Sequence, residues 1–192
     1  MDDLLQSPNR ALEHGKHTDT ASPLARPSGI SIRRGYTPGL IGRVGELHGR
    51  YYAQTWGSGA PFEVLIIREL SDFIEQYDTH EDLILSAHFR NEIIGSVSVL
   101  GKNAGPDGAQ LRFFIVSPDY HGLGAGSMLL KAALDWCRER KHENVFLWTV
   151  DQLPESRHLY EKTGFRIVER IWDDRYTVPR ENLKMRLSLL SP

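Results

Sequence analysis

The chain of 192 residues has a single cysteine, Cys137, so no intrachain disulfide framework is open to it and a reducing compartment is its natural setting. CxxC, HExxH and GxSxG strings are missing, which removes the simplest zinc, metallohydrolase and α/β-hydrolase readings. GxxxxGK[ST] is missing as well, and with it the Walker phosphate loop. No stretch approaches the ~18 apolar residues of a membrane span, and the first thirty residues are charged throughout and lack a signal-peptide core. Net charge is small: 23 Lys and Arg against 25 Asp and Glu leave −2, which gives no electrostatic case for broad nucleic-acid binding. His14 and His17 have no second pair of ligands nearby, so no metal site is expected. These absences predict a cytoplasmic protein with no membrane or nucleic-acid partner, and leave a homodimer open.

What is present is ordinary globular composition, 40% hydrophobic and 25% charged, enough for one sizeable core. Residues 1–28 mix Asp, Ser, Pro, His and Arg with few apolar anchors and read as a disordered tail, so the expected domain is 29–192.

The most informative stretch runs from Leu111 to Trp136. Leu111, Phe113, Phe114, Ile115 and Val116 form an apolar, β-branched and aromatic run suited to a buried strand, which Pro118 ends because it has no ladder N–H. Gly122, Gly124 and Gly126 follow at alternate positions, and a helix over Gly126 to Lys141 begins inside this loop. Its first turn offers unpaired N–H groups at the positive end of the helix dipole, a natural seat for a phosphate or diphosphate. The dinucleotide fingerprint GxGxxG does not fit, because Ser127 stands where its third glycine belongs and five residues separate Val116 from Gly122. Cys137 shares its helix with Leu129, Leu130, Ala133, Leu134 and Trp136, and reads as a core residue rather than a nucleophile.

Around this unit the pattern predicts a strand over Ile30 to Tyr36 and a helix with Thr37 as N-cap and Pro38 as its first residue, running to about Trp56. Gly57, Ser58, Gly59 and Pro61 should break it before a second helix, Phe62 to Tyr77. Strands are expected at Asp82 to His88, Glu92 to Leu100 and Ala109 to Val116, with Gly101 to Gly108 as a hairpin loop. Asn144 to Val150 reads as a buried strand and Leu153 to Thr163 as a helix capped by Gly164. Phe165 to Trp172 and Leu183 to Leu190 complete the set as strands. The expected fold class is α/β, with a mixed, mainly antiparallel central sheet flanked by helices.

Three strings, IIGSVSVL, FFIVSPDYHGLGAGSMLL and SRHLYEKTGFRIVE, together with this element order, resemble the GNAT superfamily of acyl-CoA N-acyltransferases. HGLGAG from His121 to Gly126 resembles its Q/R-x-x-G-x-G/A loop, with His121 in place of Gln or Arg. The run from Leu147 to Glu169 is also similar to the acetyltransferase half of bacterial fusions with MarR-type winged-helix regulators. The resemblance implies acetyl-CoA as co-substrate and direct attack of an amine on its thioester. It implies that backbone groups of the Phe114, Ile115, Val116 strand pair with the pantetheine, and that amides of His121, Gly122, Leu123, Gly124, Ala125, Gly126 and Ser127 hold the diphosphate. Tyr160 falls on the tyrosine that protonates the leaving thiolate in many members. Two departures stand out: Leu153 where many relatives have Asn, and Arg112 where many have a glutamate base. Arginine cannot serve as a base, which leaves Glu63, His48 or a bound water, or an amine that arrives neutral, while strand alternation would turn Arg112 toward an anionic group on the acceptor, with a salt bridge as its alternative role. The implied activity is N-acetylation of a small amine or amino-acid-like acceptor. A protein lysine or N-terminus as acceptor, or a non-catalytic acyl-CoA-binding module, are the other readings.

Overall fold

In the computed structural model, which describes residues 29–190, the predicted strands pair into one seven-stranded sheet of order β1-β2-β3-β4-β5-β7-β6. The strands are β1 (Ile30–Arg34), β2 (Leu83–Phe89), β3 (Glu92–Gly105), β4 (Gly108–Val116), β5 (Asn144–Val150), β6 (Arg166–Asp173) and β7 (Arg180–Ser188). Every neighbouring pair is antiparallel except β4 and β5, which run parallel. The helices are α1 (Leu40–Trp56), α2 (Ala60–Glu75), α3 (Ala125–Glu139) and α4 (Pro154–Thr163). The expected tail 1–28, with His14 and His17, lies outside the described residues.

Two cores sit on the two faces of the sheet. Leu40, Val44 and Leu47 of α1 and Phe62, Ile66, Leu70 and Phe73 of α2 pack on Ile84, Phe113 and Ile115. On the other face Leu129, Leu130, Ala133, Leu134 and Cys137 of α3, with Tyr160 of α4, pack on Leu83, Val97, Leu111 and Val145. Cys137 is fully buried, and desolvation pushes its thiol up to about 12, so it is the inert core residue its helix neighbours imply.

Several boundaries differ from the sequence expectation for identifiable reasons. Helix α1 starts at Leu40 behind Gly39, whose φ of 89° takes the cap position, while Thr37 and Pro38 form the preceding turn. Pro61 opens α2 instead of breaking the chain before it, because a proline in the first turn sacrifices no helical hydrogen bond. The β3–β4 hairpin continues through most of the expected loop, to the pair Gly105–Gly108. Strand β7 begins at Arg180, three residues before its expected start, and the short helical turn Pro118–Tyr120 was not anticipated.

Candidate active site

The site opens where β4 leaves β5. Their pairing is confined to Ala109–Val145, Gln110–Phe146 and Leu111–Leu147, so beyond Leu111 the edge of β4 facing β5 is unpaired. The cause is a bulge. Against β3, Ser96 is opposite Ile115 and Ser98 opposite Arg112, so β4 carries one extra residue there. Phe113 absorbs it with φ 50°, an unusual conformation for an aromatic residue, and the Ser96 hydroxyl donates to the Phe113 carbonyl at 2.8 Å.

This bulge overturns the simple alternation expected for Arg112, Phe114 and Val116. Arg112 and Phe113 both face α2, Arg112 ion-paired with Glu69 and Phe113 against Phe73 with ring centroids 6.1 Å apart. Phe114 and Val116 turn to the opposite face, toward α3 and α4. Arg112 therefore has a counter-ion in Glu69, and it also lines the inner of the two cavities.

At the mouth of the cleft, Gly122 and Gly124 adopt φ of 76° and 88°, and a Cβ at either would meet nothing within 4 Å. Gly124 caps α3, and its carbonyl takes the first helical bond, from Met128 at 3.0 Å. Among the described residues no protein acceptor takes the amides of Gly122 to Ser127, so they remain available to an anion. Gly126 sits inside the first helical turn, where a Cβ would lie 3.6 Å from Phe114 and from Leu159. His121 differs from expectation. Its amide is used by the Pro118 carbonyl at 3.1 Å, its ring Nε2 lies 3.0 Å from the Val116 carbonyl, and Nδ1 lies 3.6 Å from Glu155. The free amides thus begin at Gly122, while the His121 side chain ties the end of β4 to the loop and lines the outer cavity. Phe114, Ile115, Val116, Gly122, Gly124, Ala125, Gly126 and Ser127 line this outer cavity together with Tyr51 and Tyr52, while Leu123 lies in the loop between them. A cradle of free amides, with open space above two left-handed glycines, fits the diphosphate of a coenzyme A.

Tyr52, Phe114 and Ser156 also line a second, inner cavity, so the two adjoin. Tyr160 is here, 6% exposed, its ring 5.9 Å from that of Phe114. Burial raises its hydroxyl pKa well above the ordinary phenol value, with further contributions from Tyr52 and Tyr176, so it remains protonated. His48 joins it from α1. Its Nδ1 is 2.9 Å from the Val44 carbonyl, an acceptor, so Nδ1 carries the proton and Nε2 keeps its lone pair. Desolvation lowers its pKa to about 4, which makes it a neutral imidazole at physiological pH. Leu153 lines the same cavity. Glu63 does not: it is exposed and lies against Gly49 on the outside of the α1–α2 pair.

Sequence reasoning missed Tyr52, Trp56, Ser156 and Tyr176 in this cavity. The spacing of His48, Tyr52 and Trp56, i, i+4 and i+8 on one helix, was the available signal for two of them. Ser156 likewise precedes Tyr160 by one helical turn. Tyr176 comes from the β6–β7 connection, where no periodicity points to a site.

Residues 43–165 match the model of the acetyltransferase (GNAT) family. The chain belongs to that family. No curated protein matches it. Its fold is similar to that of a GNAT-family acetyltransferase from Staphylococcus aureus Mu50, at 17% identity and a TM-score of 0.68 over 84% of this chain and 99% of that one. It is similar to YncA from Salmonella typhimurium, solved with its cofactor acetyl-CoA, at 16% identity and a TM-score of 0.68 over 86% and 96%. A third likeness is to spermidine N-acetyltransferase from Vibrio cholerae in complex with CoA and spermine, at 19% identity and a TM-score of 0.64 over 84% and 96%. The likeness to MarR-type fusions finds no support in these matches. Within this GNAT chain no helix of the described residues is long and apolar enough to cross a membrane, and no cluster of three metal-ligating side chains occurs among them.

Proposed function

We propose that this GNAT protein transfers the acetyl group of acetyl-CoA to the primary amine of a small acceptor. Acetyl-CoA is the co-substrate. The observation that carries the reading is the position of Tyr160, buried in the inner cavity against Phe114, one of the residues that cavity shares with the cavity of the amide cradle. In this reading the amides of Gly122 to Ser127 hold the diphosphate, and the unpaired edge of β4 from Arg112 to Val116 receives the pantetheine as an added strand.

The amine nitrogen attacks the thioester carbonyl, the new C–N bond forms and the C–S bond breaks. The proton lost by the amine passes to Nε2 of His48, directly or through a water, the departing thiolate takes the Tyr160 proton, and the proton held by His48 then leaves through water and restores the phenol. For the first task His48 offers the free lone pair, and its pKa of about 4 makes it a weak base that holds the proton only briefly before passing it to water. Tyr160 suits the second because burial keeps it protonated across the working pH range. Val97, Leu111, Leu130 and Leu147 close the floor of the inner cavity, so the site admits a small molecule more readily than a lysine on a folded protein.

Appearance of free CoA thiol over a panel of amines tests the proposal. Saturable release that depends on the amine is expected. Acetyl-CoA binding without release on any amine would instead support the non-catalytic acyl-CoA module.

A further inference from the structure

No aspartate or glutamate lines the inner cavity. Two guanidinium groups near it bring their own counter-ions, Arg112 through Glu69 and Arg175 through Asp173 at 2.5 Å. Arg180 on β7 is different. It is 5% exposed, and among the described residues no carboxylate lies within 4 Å of its guanidinium. Its hydrogen bonds, to the Val178 carbonyl and to Gln152 Oε1, are long at 3.3 and 3.4 Å. The group lies 4.1 Å from the centroid of the Trp56 ring, which lines the cavity and stacks at 4.3 Å on Tyr52. The Trp56 indole nitrogen is itself buried with no acceptor. A buried cation and a buried N–H, neither matched by an anion, are expensive to hold unless something else completes them.

We propose that the acceptor carries a carboxylate, received by Arg180 and the indole N–H of Trp56 at the far end of the cavity from its amine. This rests on the amine-acetylation reading above. The helix sets the separation. His48 and Trp56 are eight residues apart on α1, about 12 Å at ~1.5 Å per residue, so amine and carboxylate stand roughly as far apart as the ends of an extended peptide of three residues, at ~3.3–3.6 Å each. Tyr52 lies between them and Tyr176 beside them, an aromatic wall suited to an apolar body. A polyamine would bring a second positive charge into a cavity with no acid to meet it.

Glycylglycyl-L-phenylalanine and its C-terminal amide form the test pair, equal in shape and different in one charge, with spermidine as the polycation. Binding to the full chain saturated with CoA is read by quenching of tryptophan emission, and transfer by thiol release from acetyl-CoA. The free acid should bind roughly 10- to 100-fold more tightly than the amide, the range of a charge-assisted hydrogen bond, and lead by a similar factor in kcat/KM. Arg180→Gln should bring the pair within about twofold, and Arg180→Lys should restore part of the gap. Equal binding of acid and amide, failure of both to bind, or a preference for spermidine overturns the proposal. Preferential binding of the acid without thiol release leaves the carboxylate site standing and removes the transfer reading. Equal thiol release from both tripeptides does the reverse.

Discussion

The Ser96 hydroxyl donates to the carbonyl of Phe113 at 2.8 Å, across the β3–β4 ladder at the residue whose φ of 50° makes the bulge. This contact holds open the gap between β4 and β5 on which both cavities depend. Ser96→Ala leaves a buried carbonyl without its partner and should cost about 1 to 2 kcal/mol, seen as a lower urea midpoint. It should also weaken acetyl-CoA binding by calorimetry, since the bulge positions the strand edge. A stability loss with unchanged acetyl-CoA affinity would mean that the bulge is fixed by other packing.

Gly124 and Gly126 should separate. Gly124→Ala forces a side chain into a left-handed conformation at about 1 to 2 kcal/mol and places a methyl at the amide cradle. At Gly126 the backbone is helical and a Cβ meets only ordinary contacts at 3.6 and 3.7 Å, so Gly126→Ala should keep or raise the melting temperature. Thermal melts with and without acetyl-CoA distinguish the two, and equal melting losses in both variants would contradict the assigned backbone roles.

Stability should fall in acid through His48. Its pKa is depressed in the folded protein from 6.5 to about 4, so the unfolded chain binds the proton first as pH drops. The contribution is fully present above pH 6.5 and is lost progressively between there and about pH 4, amounting to roughly 3 kcal/mol at ~1.4 kcal/mol per pKa unit. His88 and His142, also lowered by desolvation, act in the same direction. Urea titrations from pH 7 to 4 should show a shallower decline for His48→Gln than for wild type, and parallel declines would place the effect elsewhere.

The order of elements, the glycine loop and the family were legible in the sequence because each is written locally. Periodicity marks α1, α2 and α3, and glycines at alternate positions mark the turn into α3. The face assignment of Arg112 was not legible. A bulge is set by cross-strand register, and the one extra residue at Phe113 inverts the side on which Phe114 and Val116 lie relative to plain alternation. The partners of His121 were not legible for a related reason, since its amide goes to Pro118 and its ring finds an acceptor on β4 that no local pattern announces. Tyr176 reaches the inner cavity from the β6–β7 connection, and Arg180 reaches Trp56 from the start of β7, both from a stretch without periodicity.

Cys137 should resist alkylation in the folded protein at pH 8, because its thiol, pushed up to about 12, is buried and protonated. Mass spectrometry after iodoacetamide treatment should show no adduct until urea unfolds the chain. Rapid labelling of the native protein would place a reactive thiol at the surface of α3.

The central claim is that Tyr160 supplies the proton to the departing thiolate, and the most direct test is thiol release by Tyr160→Phe, which removes one oxygen from a buried ring. The account predicts that kcat falls by roughly 100-fold or more while acetyl-CoA affinity and melting temperature stay close to wild type. A kcat equal to that of wild type, with the chemical step shown to be rate-limiting, would contradict it and leave Tyr160 as a packing residue beneath Phe114.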